Sequence, residues 1–321
     1  MAVVRRALVF VLWLAAVLAL AEGAVRGASW VLRRDRILGS TRPGADVIYC
    51  VGDSFTYGQG VDPKDAWPSV LAKGLQDAGD ADVAVQTLAK PGNSSSVVVA
   101  DVAKALKAGD ARLVLVMAGW NANDGDFAAW AAAHDRPVPW TARVDLWLGH
   151  VRLYRLVKHA MTYRRRALVL DDVEVVPQTS LMALYNFRAY QQIARDNLRR
   201  IAELCHAADV PCAFLTYPHR ELPPNAITKT EYYHFFFGRT PLGDQDYIVE
   251  DRRPDEIAID AVIRNVAETT DVALIDTQAA FLAAGGGDLF QSDWHHPTAM
   301  GQRVIAETVF AALARDDGLR R

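Results

Sequence analysis

The chain has 321 residues, a formal net charge of −3, 51% apolar residues and 23% charged ones. That length buries a full core and suits one large α/β domain with insertions, and the composition is that of an ordinary globular protein. The near-neutral balance gives no sign of a nucleic-acid partner, and the three cysteines, Cys50, Cys205 and Cys212, show no zinc spacing.

Arg5 and Arg6 precede an uncharged apolar run, Ala7 to Ala21. Its 15 residues rise roughly 22 Å as helix, short of a ~30 Å bilayer core. Continued past Glu22 to Val25 the run comes close to spanning, with Glu22 near the hydrated interface. Two readings stand. A signal peptide is cut after Ala19-Leu20-Ala21, a small-x-small site. A signal anchor stays, with Arg5 and Arg6 on the cytoplasmic side. Val25, Trp30, Val31 and Leu32 continue in helical style instead of giving a polar start, which favours the anchor. Residues 1–28 are therefore assigned to a membrane helix or signal and 29–45 to a stalk, basic and Pro/Gly-containing from Arg33 to Gly44. Residues 46–321 form a body outside the cytoplasm, periplasmic or at the cell surface, membrane-held or secreted.

Five short apolar runs follow: Val47–Val51, Val83–Leu88, Leu113–Met117, Ala213–Tyr217 and Val272–Ile275. They lack alternation, as strands of a parallel sheet covered on both faces do. Helical patterns separate and follow them, near Trp67–Asp77, Ser95–Lys107, Leu181–Ala208, Asp255–Thr269 and Thr298–Ala314. Trp67-Pro68 reads as a helix start packed on the sheet. The alternation predicts a doubly wound α/β sandwich. Cys205 and Cys212 are near enough in sequence to pair in an oxidising compartment; three buried thiols is the plainer reading.

Two intervals exceed the minimal plan, about 125–180 and 219–254. Each leaves the carboxyl end of a strand, where ligands sit in open α/β sheets, and each is a lid or specificity wall or else a solvated insertion. Within the first, Thr141 to Arg166 carries Arg143, Arg152, Arg155, Lys158, Arg164, Arg165 and Arg166 against one acid, Asp145. Trp147, Val151, Tyr154 and Met161 fall near helical spacing, and Arg152, Arg155 and His159 share another face. Such a basic amphipathic helix lies on an anionic surface, guides an anionic substrate, or simply packs with a solvated face. His219 and Arg220, after the fourth strand, are placed to face a pocket.

Four blocks carry chemistry. Gly52-Asp53-Ser54-Phe55 ends the first strand, where a serine is open to substrate and a following helix start offers free N–H groups. Lys90-Pro91-Gly92-Asn93 follows the second strand, and Gly119-Trp120-Asn121-Ala122-Asn123-Asp124 the third. Asp293-Trp294-His295-His296-Pro297, with Gly301 beyond, opens the last helix. In order and placement these blocks resemble those of the SGNH (GDSL-type) hydrolases, over about 46–123 and 211–314. The resemblance implies a flavodoxin-like three-layer α/β/α sandwich with a five-stranded parallel sheet. It implies Ser54 as nucleophile, His296 as base and Asp293 as the residue orienting His296. It also implies an oxyanion hole from the Ser54 and Gly92 N–H groups and the Asn121 side chain. The family's Gly-x-Asn-Asp is broken here by Ala122, so Asn123 competes with Asn121, which keeps the spacing from Gly119. His295 is a rival base without support from spacing.

The expected activity is that of a membrane-tethered serine esterase acting through an acyl-serine on an ester-bearing envelope glycan or lipid, with no cofactor and no metal. The same triad serves an O-acyltransferase. A non-catalytic, tethered glycan-binding or scaffold domain is the alternative of another class; the altered third block is its only support. Phosphoryl transfer is excluded by the lack of a phosphate loop or clustered metal-binding carboxylates.

Overall fold

The computed structural model describes residues 2–34, 46–80, 82–158, 160, 187–219, 259–285, 287–291 and 296–320. Asp293, His295, Arg220, His159, Met161 and Arg164 to Arg166 lie outside the described residues, as do 161–180 of the first expected insertion and 220–254 of the second. The chain divides into two compact units, 1–37 with 137–179, and 38–136 with 180–321.

The first unit contains α1 (Ala2–Arg34). It is one continuous helix, so helical structure runs into the segment expected to be a stalk. Among the described residues no helix is long and apolar enough to cross a membrane. The expectation of a membrane helix therefore gains nothing from the structure; the uncharged run is short, and beyond it come Glu22 and Arg26, paired at 2.7 Å. Glu22 also accepts the backbone N–H groups of Arg152 and Leu153, at 2.9 and 2.7 Å, where a helix begins at 152. A carboxylate there satisfies two of the N–H groups that a helix start leaves unpaired. The basic segment is thus not one helix. Its first part lies in a helix over Trp140–Leu148, which stops at Gly149, and the second starts at 152. Asp145 joins the two, accepting from Tyr154 Oη and Lys158 Nζ. Trp140 and Trp147 are exposed.

The second unit is built on five parallel strands in the order β2-β1-β3-β4-β5. They are β1 (Asp46–Gly52), β2 (Val83–Ala89), β3 (Ala111–Met117), β4 (Cys212–Leu215) and β5 (Ala273–Ile275). This is the flavodoxin-like arrangement, with its switch point between β1 and β3. Val47–Gly52, Leu113–Met117 and all of β4 are buried, as their unbroken apolar runs require. The edge strands β2 and β5 are half-covered. Thr216 and Tyr217 continue beyond the β4 ladder instead of extending it.

Helices cover both faces. The helix α2 (Ser54–Tyr57) is a single turn leaving β1. On one face α3 (Trp67–Asp77) packs on the last long helix (Ala299–Arg315), which in turn meets Thr277–Ala283. On the other, α4 (Ser95–Ala108) and Ile259–Thr270 both pack on the long helix Phe187–Ala207. Trp67, with Pro68 in the first turn of α3, is fully buried, so the predicted helix start holds. Cys50, Cys205 and Cys212 are buried free thiols.

Candidate active site

Strand register sets the site. Gly52 pairs with Ala89 on one side and with Met117 on the other, so three strands end level. The loops carrying Asp53-Ser54, Gly92 and Asn121 therefore leave the sheet side by side, astride the switch point. Gly52 has no alternative at this junction: a Cβ there would lie 2.3 Å from Thr56 Oγ1 and 2.6 Å from Met117 O.

Ser54 begins α2 and is nearly buried. Its Oγ lies 3.0 Å from His296 Nε2, within the reach a nucleophile and its base require, although the two residues are 242 positions apart. His296 is held by its loop. Phe290 and Pro297 form an isolated antiparallel bridge, Gln291 N donates to His296 O at 2.8 Å, and Thr298 N donates to Leu289 O at 2.8 Å. The Gln291 side chain then donates to Gln59 O at 2.7 Å and Pro297 O at 2.8 Å, which ties the base loop to the nucleophile loop. Gly60, at φ +85°, makes room: a Cβ there would meet Gln291 Oε1 at 2.1 Å. Buried Gln302, on the last long helix, accepts from Trp67 N at 2.9 Å and donates to Phe55 O at 3.2 Å, fixing α2 from below. Neither glutamine stands out in the sequence; both lie within a few residues of His296, which is the only signal they give.

Gly92 lies in the turn after β2 with φ +74°, a conformation that favours glycine. Its neighbour Asn93 donates to Gly52 O at 3.1 Å, which holds that turn beside the end of β1. The third block divides its work between two asparagines. Asn123 caps the helix Asp124–Ala133 in a capping box with Asp126 and also donates to Ser94 Oγ at 2.8 Å. Asn121 instead donates through Nδ2 to Asp53 Oδ2 at 3.0 Å, directly behind the nucleophile. The side chain brought to the serine turn is therefore that of Asn121.

Asp53 is fully buried. Its Oδ1 accepts Phe55 N at 3.0 Å, and its Oδ2 accepts Tyr217 Oη at 2.7 Å as well as Asn121. Burial pushes this carboxyl up to about 7, against the pull of Tyr217, the Phe55 N–H and Asn121. Tyr217 is pushed well above its ordinary range, by burial first and by Asp53 next. Its ring packs edge-on to Phe55, with centroids 4.9 Å apart, and lies 5.5 Å from Trp120; the Phe55 and His296 rings are also 5.5 Å apart. Tyr217 escaped the sequence analysis because it reads there as the last apolar residue of a strand. His219 lies further along: its N–H donates to Gln278 Oε1 at 2.7 Å, and its Nε2 is 3.5 Å from Asp260.

A family model described as GDSL-like lipase/acylhydrolase matches residues 50–237. The chain belongs to that family. Ester hydrolysis is its general chemistry, and the match takes in the Ser54, Gly92 and Asn121 blocks but ends before His296. Among curated proteins none matches. Solved structures similar to the chain include TesA, at 18% identity with a TM-score of 0.46, covering 83% of this chain and 97% of that one. A second is the psychrotrophic esterase EstA from Pseudoalteromonas sp., at 15% identity and TM-score 0.45, covering 84% and 97%. A third is a mutant of Axe2, an acetyl-xylooligosaccharide esterase from Geobacillus, at 15% identity and TM-score 0.47, covering 85% and 95%.

Proposed function

We propose that this GDSL-type hydrolase is a serine esterase that cleaves O-acyl groups from an envelope glycan or lipid through an acyl-Ser54 intermediate. The observation carrying the proposal is the 3.0 Å contact between Ser54 Oγ and His296 Nε2 at the level end of three strands. Ser54 Oγ attacks the ester carbonyl while its proton passes to His296 Nε2. The negative charge that develops on the carbonyl oxygen is met by the N–H groups of Ser54 and Gly92 and by the Asn121 amide. Collapse of the tetrahedral species breaks the bond to the alcohol, which leaves with the proton from His296. Water, deprotonated by the same imidazole, then frees the acid and restores Ser54. Asp293 orients His296 in this scheme. The scheme needs neither metal nor organic cofactor.

The test is hydrolysis of p-nitrophenyl acetate and butyrate by the full chain beside Ser54→Ala and His296→Ala. Each substitution is expected to lower kcat by on the order of 10⁴-fold or more. A wild-type rate equal to that of a folded Ser54→Ala protein rejects the proposal.

The same reading holds the enzyme at the membrane with its body outside the cytoplasm. The support is in the sequence: Arg5 and Arg6 ahead of the uncharged Ala7 to Ala21 run. Fractionation of cells making the full chain is expected to leave it in membranes after an alkaline wash. A released chain beginning at Glu22 would instead identify a cleaved signal.

A further inference from the structure

Asn121 presents two ends of nearly the same shape, and only one is of use to an oxyanion. With its nitrogen toward the serine turn it offers N–H; turned over, it offers a carbonyl oxygen that would repel the charge. What chooses between them is Asp53. Its neighbours bring it hydrogens: Phe55 N donates to Oδ1, and both Asn121 Nδ2 and Tyr217 Oη donate to Oδ2. An ionised carboxylate only accepts, so it holds Asn121 by one amide hydrogen and leaves the second to the substrate. A protonated carboxyl could donate its own hydrogen to Asn121 Oδ1, and the amide would then be stable the wrong way round. Tyr217 belongs to none of the four sequence blocks. It is fully buried just beyond β4, its N–H is anchored to Asp260 Oδ1 at 2.7 Å, and its hydroxyl donates to Asp53 Oδ2 at 2.7 Å.

We propose that Tyr217 is a positioning residue of the esterase: by donating to Asp53 it keeps that carboxyl an acceptor and so keeps the Asn121 N–H turned toward the oxyanion. The inference rests on the esterase reading of Ser54 and Asn121. Burial already brings Asp53 to the edge of protonation at neutral pH, and Tyr217 leads the groups that oppose it. The titratable groups around this carboxyl are Tyr217 itself, Tyr190, which donates to Trp120 O next to Asn121, Asp260 behind the Tyr217 N–H, and His296 across Ser54. None of them supplies Asp53 with a positive charge in direct contact among the described residues, which leaves the Tyr217 hydroxyl as the adjustable partner.

The experiment is the pH dependence of p-nitrophenyl acetate hydrolysis by the full chain, for wild type, Ser54→Ala, Tyr217→Phe and Asp53→Asn, with thermal melts as a folding control. Phenylalanine keeps the ring against Phe55 and Trp120 and removes only the hydroxyl. Tyr217→Phe is expected to lose about 10–100-fold in kcat at pH 7, with KM changed by less than about 3-fold, and to regain much of it in alkali as Asp53 ionises. Its acid limb moves to higher pH. Asp53→Asn, whose amide cannot accept at both ends, is expected to lose about 100-fold at every pH with no alkaline recovery. A Tyr217→Phe profile with wild-type kcat, or a loss that is the same at all pH values, overturns the role of Tyr217 while leaving the esterase intact. A wild type no faster than Ser54→Ala overturns the esterase reading and this inference with it.

Discussion

Two asparagines two positions apart, equally plausible as oxyanion donors by composition, are separated by what each side chain touches. Asn123 is spent on a capping box and on Ser94, whereas Asn121 reaches Asp53 behind Ser54. Their substitutions should therefore fail differently. Asn121→Ala is expected to lower kcat by about 10²–10³-fold while moving the unfolding midpoint little. Asn123→Ala is expected to cost about 1 kcal/mol of stability through the lost cap and to leave kcat within a few-fold of wild type. Urea unfolding beside p-nitrophenyl acetate kinetics checks both; the reverse pattern would make Asn123 the donor. In the sequence the spacing from Gly119 is what favours Asn121 over Asn123. No spacing points to Tyr217, because its hydroxyl matters only once β4 lies beside β3 and brings it over Asp53.

The elements that hold the base show why sequence blocks mark chemistry better than they mark support. The Asp-x-x-His-Pro pattern singles out His296, yet the loop is fixed by Gln291 reaching Gln59 O and by Gln302 linking the last long helix to α2 and α3. Glutamine is common on surfaces, so nothing in the residue type advertises a buried brace. Gln302→Ala leaves the buried Trp67 N–H without its partner and is expected to cost about 1–3 kcal/mol, read from urea midpoints. Gln291→Ala is expected to lower kcat more than it lowers stability, since it frees the His296 loop without opening the core; a pure stability loss with normal kcat would show the brace to be structural only. The helices flanking the sheet were legible because their apolar faces repeat at helical spacing, and α3 begins and ends where that spacing predicts. The break of the basic segment after Leu148 was not, because the cap that starts the next helix comes from Glu22, well over a hundred residues away in sequence.

For the molecule as a whole, the strand count and parallel order follow from the unbroken apolar runs and their helical separators, and the site follows from where those runs end. The centre so formed bears on stability. The folded carboxyl of Asp53 stands at about 7, against an ordinary 3.8, so between those values the folded chain keeps a proton that the unfolded chain releases. Its contribution to stability is complete below the unfolded value and is lost as pH rises to the folded one. The melting temperature of Asp53→Asn is therefore expected to gain on wild type from about pH 4 to about pH 7 and to run parallel above; parallel curves throughout would show that Asp53 is not protonated in the folded chain. The distance along the chain between Ser54 and His296 has a consequence in time. At typical rates of synthesis, the ribosome needs on the order of ten to fifty seconds to cover the 242 residues between them. A nascent or prematurely ended chain thus carries Ser54 without His296. On the proposed mechanism such a chain is inert until the segment carrying His296 has been delivered and has docked.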